Sequence, residues 1–358
     1  MTEPSLADPA HATAREAGLR YATDEVRGFT RRRRGRGFSY HDQQGNLIRD
    51  QEVIKRIRSI VIPPAWTDVW ICPWPNGHIQ ATGRDARGRK QHRYHPDFRA
   101  ARDEAKFGRL VEFAAALPRI RKRVDRDLSR PGVPREKVLA AVVRLLELTL
   151  IRVGNDEYTR LNQSFGLTTL RGRHVQLEGT VIRFRFKGKG GLPHEVGLRD
   201  RRLAAVIRRC QELPGQELFQ YTEDGTVGDV SSDDVNNYLR EISRGDFTAK
   251  DFRTWAGTVL AYQSLCELPE PPDERTTKRN VVEAVRRTAR ALRNTPAVSR
   301  QAYIHPAVLE AYVEGAIEAA EIEDLTSAEQ AVVELLRERL DVDAARTTRR
   351  RSRSQGGR

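Results

Sequence analysis

The sequence predicts an α+β fold, with a small β-rich N-terminal domain and a larger, mainly α-helical domain that carries a small three-stranded sheet. Three observations predict it. "DVWICPWPNGHIQATGRDARGRKQHRYH" alternates as strands around an Asn76-Gly77 turn. From Phe98 the spacing becomes helical, most clearly in "REKVLAAVVRLLELTLIRV", where Val138, Val142, Leu145 and Leu146 form a stripe. The helices are then interrupted by "HVQLEGTVIRFRFKGKGGLPHEVGL", which reads as three short strands with tight turns.

Residues 1–24 read as a flexible polar leader. The β-rich domain spans 25–98. In it "FSYHDQQGNLI" suggests a hairpin after the run Arg31 to Arg34, and "DQEVIKRIRSIVIPP" a helix with Asp50 as cap and Pro63 as stop. The helical domain spans 99–340, and Gly154 marks the end of its long helix, since glycine is favoured just past a helix. Helices resume at "DRRLAAVIRRCQEL", "SSDDVNNYLREIS", "TAKDFRTWAGTVLAYQSLCEL", "KRNVVEAVRRTARALR" and "SAEQAVVELLRERL". Residues 341–358 are basic, poor in apolar side chains, and expected to be disordered.

Composition narrows the function classes. With 63 Lys+Arg against 49 Asp+Glu the chain carries a net charge of +14, which favours a polyanionic partner, nucleic acid above all. Cys72, Cys210 and Cys266 are far apart and form no metal-ligand pattern, so no metal site is expected. No Walker loop is present, which disfavours an ATP-driven motor. No apolar run is long enough to span a bilayer, so a soluble cytoplasmic protein is expected.

The candidate chemistry lies at element ends. Arg152 follows the long helix, Lys189 sits in a glycine-flanked turn between strands, and Arg253 lies near a helix start in "KDFRTWAGT". Asn294 precedes Thr295-Pro296, and Tyr303 comes nine residues after Asn294. Any one of these reads as a surface charge, a cap or a packing aromatic.

Taken in order they resemble the bacterial and poxvirus-type branch of the type IB DNA topoisomerases. "GRDARGRKQHRYH" is similar to a DNA-contacting strand segment of that family. "IRVGNDEYTRLNQSFGLTTLR", "FKGKGGLPHEV", "TAKDFRTWAGT" and "NTPAVSRQAYIHPAV" resemble its catalytic blocks, in order, and the resemblance as a whole covers about residue 25 to about 315. The resemblance implies that Tyr303 is the nucleophile. It implies that Arg152, Arg253 and Asn294 surround the scissile phosphate, and that Lys189 with Arg152 protonates the leaving oxygen. It also implies DNA contacts from Arg84, Lys90, Gln91, His92, Arg93 and Tyr94, and from Asn155 and Tyr158 near the phosphates. His305, two residues past the nucleophile, is assigned a structural place.

These residue types suit that chemistry. A phenol, with its ordinary pKa of about 10, is mostly protonated at neutral pH. Attack on a phosphodiester needs in-line positioning and dispersal of charge on the phosphorane oxygens. Guanidiniums meet both needs, since they bind phosphate bidentately and favour phenolate. A 5′-hydroxyl leaves poorly and needs a general acid. Arginines in place of a metal imply no cofactor, and a phosphotyrosyl bond that keeps its energy implies no nucleotide. The expected protein is a monomeric C-shaped clamp on duplex DNA, nucleoid-associated. The alternatives are a tyrosine recombinase or a non-catalytic basic DNA-binding protein. The first would carry H-x-x-R where this chain has Lys250 and Arg253, and Leu-Gly-His before the tyrosine.

Overall fold

The computed structural model describes residues 9–318 and 324–339, leaving residues 1–8 of the expected leader and the expected basic tail at 341–358 outside the described residues. The chain divides into two compact units, Met1–Gly108 and Arg109–Arg358.

The first unit contains α1 (Pro9–Glu16), β1 (Phe29–Arg34), β2 (Gly37–His41), α2 (Gln51–Ser59), β3 (Thr67–Ile71), β4 (Ile79–Arg84), β5 (Lys90–Tyr94) and α3 (Pro96–Gly108). Its strands form one antiparallel sheet in the order β2-β1-β3-β4-β5, so β5 lies at an edge. The arginine run is itself a strand. β1 pairs with β2 from Thr30↔His41 to Arg34↔Gly37 around a turn where Gly35 has φ +56°. A strand tolerates this run because Arg31 is satisfied locally. Its guanidinium donates to the carbonyls of Ile62, Pro63 and Trp66 and lies 4.2 Å from the Phe38 ring centroid, while Arg32, Arg33 and Arg34 are exposed. The hairpin expected in "FSYHDQQGNLI" is present as a short extension, closed by Asp42 and a His41–Leu47 bridge. Asp50 caps α2 as expected.

Two expectations shift. Residues 9–24 are no loose leader: Ala14 is fully buried, Arg20 N donates to Asn76 O at 2.9 Å, and Ala22 N donates to His78 Nδ1 at 3.0 Å. A polar segment without an apolar run is held here by backbone pairing and by Tyr21 stacked on His78 at 4.5 Å. The division between units also falls after Gly108 rather than after residue 98. Helix α3 stays with the sheet because Phe98, 1% exposed, packs on His78 and Tyr94.

The second unit runs through α4 (Leu110–Leu128), α5 (Arg135–Thr149), α6 (Asp156–Asn162), β6 (Val175–Glu178), β7 (Val181–Lys187), β8 (Pro193–Arg199), α7 (Arg201–Gln211), β9 (Gln220–Glu223) and β10 (Thr226–Asp229). It continues with α8 (Ser232–Ser243), α9 (Ala249–Cys266), α10 (Glu274–Leu292), α11 (Pro296–Ala302), α12 (Pro306–Val313) and a last helix, α13, over 325–339. The expected three-stranded sheet is β6-β7-β8. The β9-β10 hairpin was not anticipated, although Asp224-Gly225, both at positive φ, is a strong turn signal.

Helix α5 organises this unit. Its expected stripe is buried, and so are Leu139, Ala140, Ala141 and Val143, so the helix is covered nearly all round. It ends earlier than Gly154: Leu150 adopts the left-handed conformation at φ 54° and stops the helix at Thr149. Gly154, at φ +113°, serves a close approach instead. A Cβ on it would meet Thr168 Oγ1 at 2.8 Å, and one on Gly166 would meet Gly154 Cα at 2.5 Å. The two glycine backbones therefore touch, and the Arg152–Val153 segment is clamped by Leu167 N to Arg152 O at 2.9 Å and Thr168 N to Val153 O at 2.7 Å.

Candidate active site

Four segments, distant in sequence, meet at one cleft of ≈ 380 Å³ in the second unit. Its walls include Arg152, Asn155, Phe165, Lys189, Arg253 and Tyr303. Each side chain arrives from an element end, where the backbone leaves its ladder and the side chain reaches past the packed core.

Arg253 is the anchor. It lies on the first turns of α9 and is 4% exposed. It donates to Leu150 O, where α5 ends, and to Leu292 O at 2.8 Å, where α10 ends. A cation bonded to two helix C-termini satisfies orphan carbonyls and sits at the negative ends of both dipoles. Its charge centre lies 5.2 Å from the Tyr303 ring centroid. Burial, then the neighbouring Arg152, push the guanidinium down to about 10, so it keeps its charge at neutral pH.

Tyr303 is fixed from behind. Thr295 caps α11 and Pro296 opens it, so the short helix delivers Tyr303 as its C-cap residue. The next residue, Ile304, is fully buried in a cluster with Ala261, Val285 and Val308. Gly257 of α9 lies against the tyrosine backbone, and a Cβ there would fall 2.5 Å from Tyr303 O. Thr258 Oγ1 accepts from His305 N at 3.1 Å. His305 itself caps α12, its Nδ1 accepting from Ala307 N at 3.1 Å, which suits a structural place.

The phenol is tuned. Burial by itself pushes Tyr303 up. Arg253, Arg152 and Lys189, together with a hydrogen bond from Arg253, outweigh it and hold the group below the usual phenol value. The surroundings therefore favour phenolate.

Asn294 does not line the cleft. It stands behind Arg152, whose guanidinium donates to Asn294 Oδ1. The backbone is set by the end of α10, with Arg293 left-handed at φ 51° and Asn294 N bonded to Ala289 O at 2.9 Å. Asn294 Nδ2 and Arg253 Nε are buried donors that meet no acceptor among the described residues. Donors left over around a cationic cleft suit an incoming anion.

Lys189 opens the turn between β7 and β8, exposed, with Gly190 and Gly191 following at φ +83° and +78°. Asn155 is exposed on the cleft wall before α6. Tyr158 lies in α6, and its side chain is outside the described residues. The sequence reading missed Lys250 and Phe165 on the wall, and Gly257 and Thr258 behind Tyr303. A glycine inside a helix pattern, as in "RTWAGT", is the signal that marks the last pair.

The other expected DNA contacts belong to the first unit and are not one continuous surface. The pleat of β5 sends Lys90, His92 and Tyr94 to one face and Gln91 and Arg93 to the other. Lys90 is paired with Asp24 at 2.7 Å, and His92 and Tyr94 stack at 5.8 Å. Burial, then Lys90, lower the His92 pKa. Gln91 donates to Asp85 at 3.0 Å, and Arg93 donates to Val61 O at 3.1 Å. Arg84, opposite Lys90 in the register, is exposed and reaches Gly88 O at 2.9 Å and Asp68 at 3.7 Å.

Comparison with known proteins places the chain in a family. Residues 95–330 match the family described as eukaryotic DNA topoisomerase I, catalytic core, and residues 37–85 match the bacterial DNA topoisomerase IB N-terminal domain. This chain belongs to the type IB DNA topoisomerase family. The DNA topoisomerase 1B of Acanthamoeba polyphaga mimivirus is 35% identical over 295 residues, covering 80% of this chain and 88% of the viral protein. That of Vaccinia virus, strain Copenhagen, is 23% identical over 276 residues, covering 73% and 82%. The DNA topoisomerase 1 of Mycosarcoma maydis is 24% identical over 241 residues, 58% of this chain and 23% of the fungal protein. The catalytic-core match spans all four segments that build the cleft, from Arg152 to Tyr303.

Proposed function

We propose that this chain relaxes supercoiled duplex DNA by a transient single-strand break made through Tyr303. Membership of the family makes it a DNA topoisomerase, an isomerase that acts on DNA. The residue roles are our reading, carried chiefly by one observation: Tyr303 shares a cleft with Arg152, Lys189 and Arg253, and these cations hold its phenol below the usual value.

In the proposed step Tyr303 Oη attacks the phosphorus and a P–O bond to tyrosine forms as the P–O5′ bond breaks. The phenolic proton passes to solvent. Lys189, with Arg152 beside it, gives a proton to the departing 5′ oxygen, which leaves as a hydroxyl. Arg152 and Arg253 bear the charge of the phosphorane oxygens, and Asn294 Nδ2 donates to a non-bridging oxygen. The amide brings no positive charge, so its share is a hydrogen bond alone. Religation is the reverse: the 5′-hydroxyl returns its proton to Lys189 and displaces Tyr303. Phosphodiester is exchanged for phosphodiester, so the cycle needs no ATP, and Arg152 and Arg253 supply the charge stabilisation that a metal would otherwise give.

We further propose that the two units close as a C-shaped clamp around the duplex and that torsion drives strand rotation between cleavage and religation. Four proposed groups on the cleft wall, Arg152, Lys189, Arg253 and Tyr303, and Asn294 behind Arg152 all come from one chain, which supports action as a monomer. The net charge of +14 supports binding that weakens steeply with salt. Among the described residues no helix is long and apolar enough to cross a membrane, which fits a nucleoid-associated cytoplasmic site of action.

The test is to trap the adduct. Denaturing the protein during reaction with duplex DNA and digesting it should yield a peptide bearing a nucleotide on Tyr303, linked through the 3′ phosphate. An adduct on another residue, or a 5′ linkage, contradicts the assignment.

A further inference from the structure

Lys189 stands in the turn between β7 and β8, outside their ladder. Its turn is closed by Gly188 N to Leu192 O at 2.8 Å and Gly191 N to Gly188 O at 2.9 Å, and the turn is exposed. Beneath it lies His194, opposite Phe186 in the β7-β8 register. The imidazole is 5% exposed and stacks on the Phe186 ring at 4.9 Å. A Cβ on Gly188 would fall 2.3 Å from His194 Nε2, so the ring lies flat against the backbone that precedes Lys189. The neighbouring Glu195 gives its carbonyl to the guanidinium of Arg293, which adjoins Asn294. His194 thus sits at the join between the Lys189 turn and the segment carrying Asn294, on the wall of a second groove of ≈ 1120 Å³.

Neither ring nitrogen of His194 has a hydrogen-bond partner among the described residues. Leaving a buried polar group unpaired is costly, and a phenylalanine would fill the same space without that cost. Burial, then Arg293, Arg152 and Arg253, hold the imidazole down at about 4, so it stays neutral. A neutral imidazole offers one donor and one acceptor. A group so placed has unused bonding capacity directly under the turn that carries Lys189.

We propose that His194 is a positioning residue for Lys189, supporting the root of the turn and becoming its hydrogen-bond partner when the turn closes on DNA. This rests on the reading of Lys189 as the acid. It makes the delivery of the leaving-group proton depend on a side chain that does not itself touch the reacting atoms.

The experiment compares single-turnover cleavage by wild type, Lys189→Ala, His194→Phe and His194→Gln on duplexes whose scissile phosphate carries either a 5′ oxygen or a 5′ sulfur. A thiolate leaves without a proton, so a defect confined to acid catalysis disappears with sulfur. His194→Phe keeps the packing and should cleave the oxygen duplex about 10- to 100-fold more slowly, the cost of a misplaced catalytic group. It should recover with sulfur, as should Lys189→Ala, and His194→Gln, which retains a donor and an acceptor, should lose less. Affinity for DNA should be unchanged. If His194→Phe does not fold, His194→Ala, which also lacks both ring nitrogens, carries the same comparison. Wild-type cleavage of the oxygen duplex by the folded Phe or Ala variant overturns the inference. So does a defect that persists with sulfur while Lys189→Ala recovers, since that marks a general structural role. Failure of Lys189→Ala to recover with sulfur overturns the assignment of Lys189, and the inference with it.

Discussion

The guanidinium of Arg152 donates to the amide oxygen of Asn294, joining residues 142 apart in the chain. Arginine has no acceptor, so this contact fixes which way the amide points: oxygen toward Arg152, Nδ2 free to donate. One contact therefore orients two proposed phosphate ligands at once.

Asn294→Asp should be worse than Asn294→Ala. The carboxylate would still accept from Arg152, but it would neutralise that charge and bring no donor to the phosphate. Loss of one positioned donor costs about 10²–10³ in rate, and the alanine variant belongs in that range. Single-turnover cleavage measures both, and an aspartate variant as fast as the alanine variant would contradict the proposed geometry.

Gly257→Ala should impair cleavage while sparing DNA binding. Its Cβ would meet Tyr303 O at 2.5 Å, and this neighbour is backbone held by a buried Ile304. Overpacking of this kind costs about 1–3 kcal/mol, and here the displaced group carries the nucleophile. Thermal unfolding and cleavage rate, measured together, should show a modest loss of stability beside a large loss of rate.

The phenol of Tyr303 should titrate below the ordinary tyrosine range. The sign follows from the causes: burial favours the neutral phenol, the cations favour phenolate, and the cations prevail. Phenolate should therefore form at lower pH than in free tyrosine, and Arg152→Ala should move its titration upward. The difference in phenolate absorbance between wild type and Tyr303→Phe isolates this one group. A titration at or above the ordinary value would refute the electrostatic account.

Much of this site was legible in the sequence because its blocks combine scarce residue types at fixed spacing. "KDFRTWAGT" and "NTPAVSRQAY" carried both the chemistry and the elements that present it. The long helix, too, could be read from its apolar spacing. Other features depend on contacts that no local pattern encodes. The arginine run pairs as β1 with β2 and β3, and Arg31 finds three carbonyls at residues 62, 63 and 66. Residues 9–24 are ordered by the Asn76-Gly77 turn and His78, more than fifty residues on. The amide orientation of Asn294 and the burial of His194 arise where segments distant in sequence meet.

Helix α13 should support α9 from behind. Glu329 accepts from both terminal nitrogens of Arg121, at 2.9 and 2.8 Å, and from Trp255 Nε1 at 2.9 Å, two residues beyond Arg253. Glu329→Ala leaves the Arg121 charge and the indole N–H without this acceptor. A hydrogen bond to a charged group contributes about 1.5–3 kcal/mol, so a lowered melting temperature is expected. Cleavage by the folded fraction should persist, because Arg253 keeps its bonds to Leu150 and Leu292.

The central claim is that Tyr303 breaks and reseals one DNA strand without metal or nucleotide. Incubation with supercoiled plasmid in EDTA, without ATP, tests it most directly. Wild type should relax the plasmid, while Tyr303→Phe should bind DNA yet leave it supercoiled. Relaxation by Tyr303→Phe, or no relaxation by wild type under these conditions, would contradict the account.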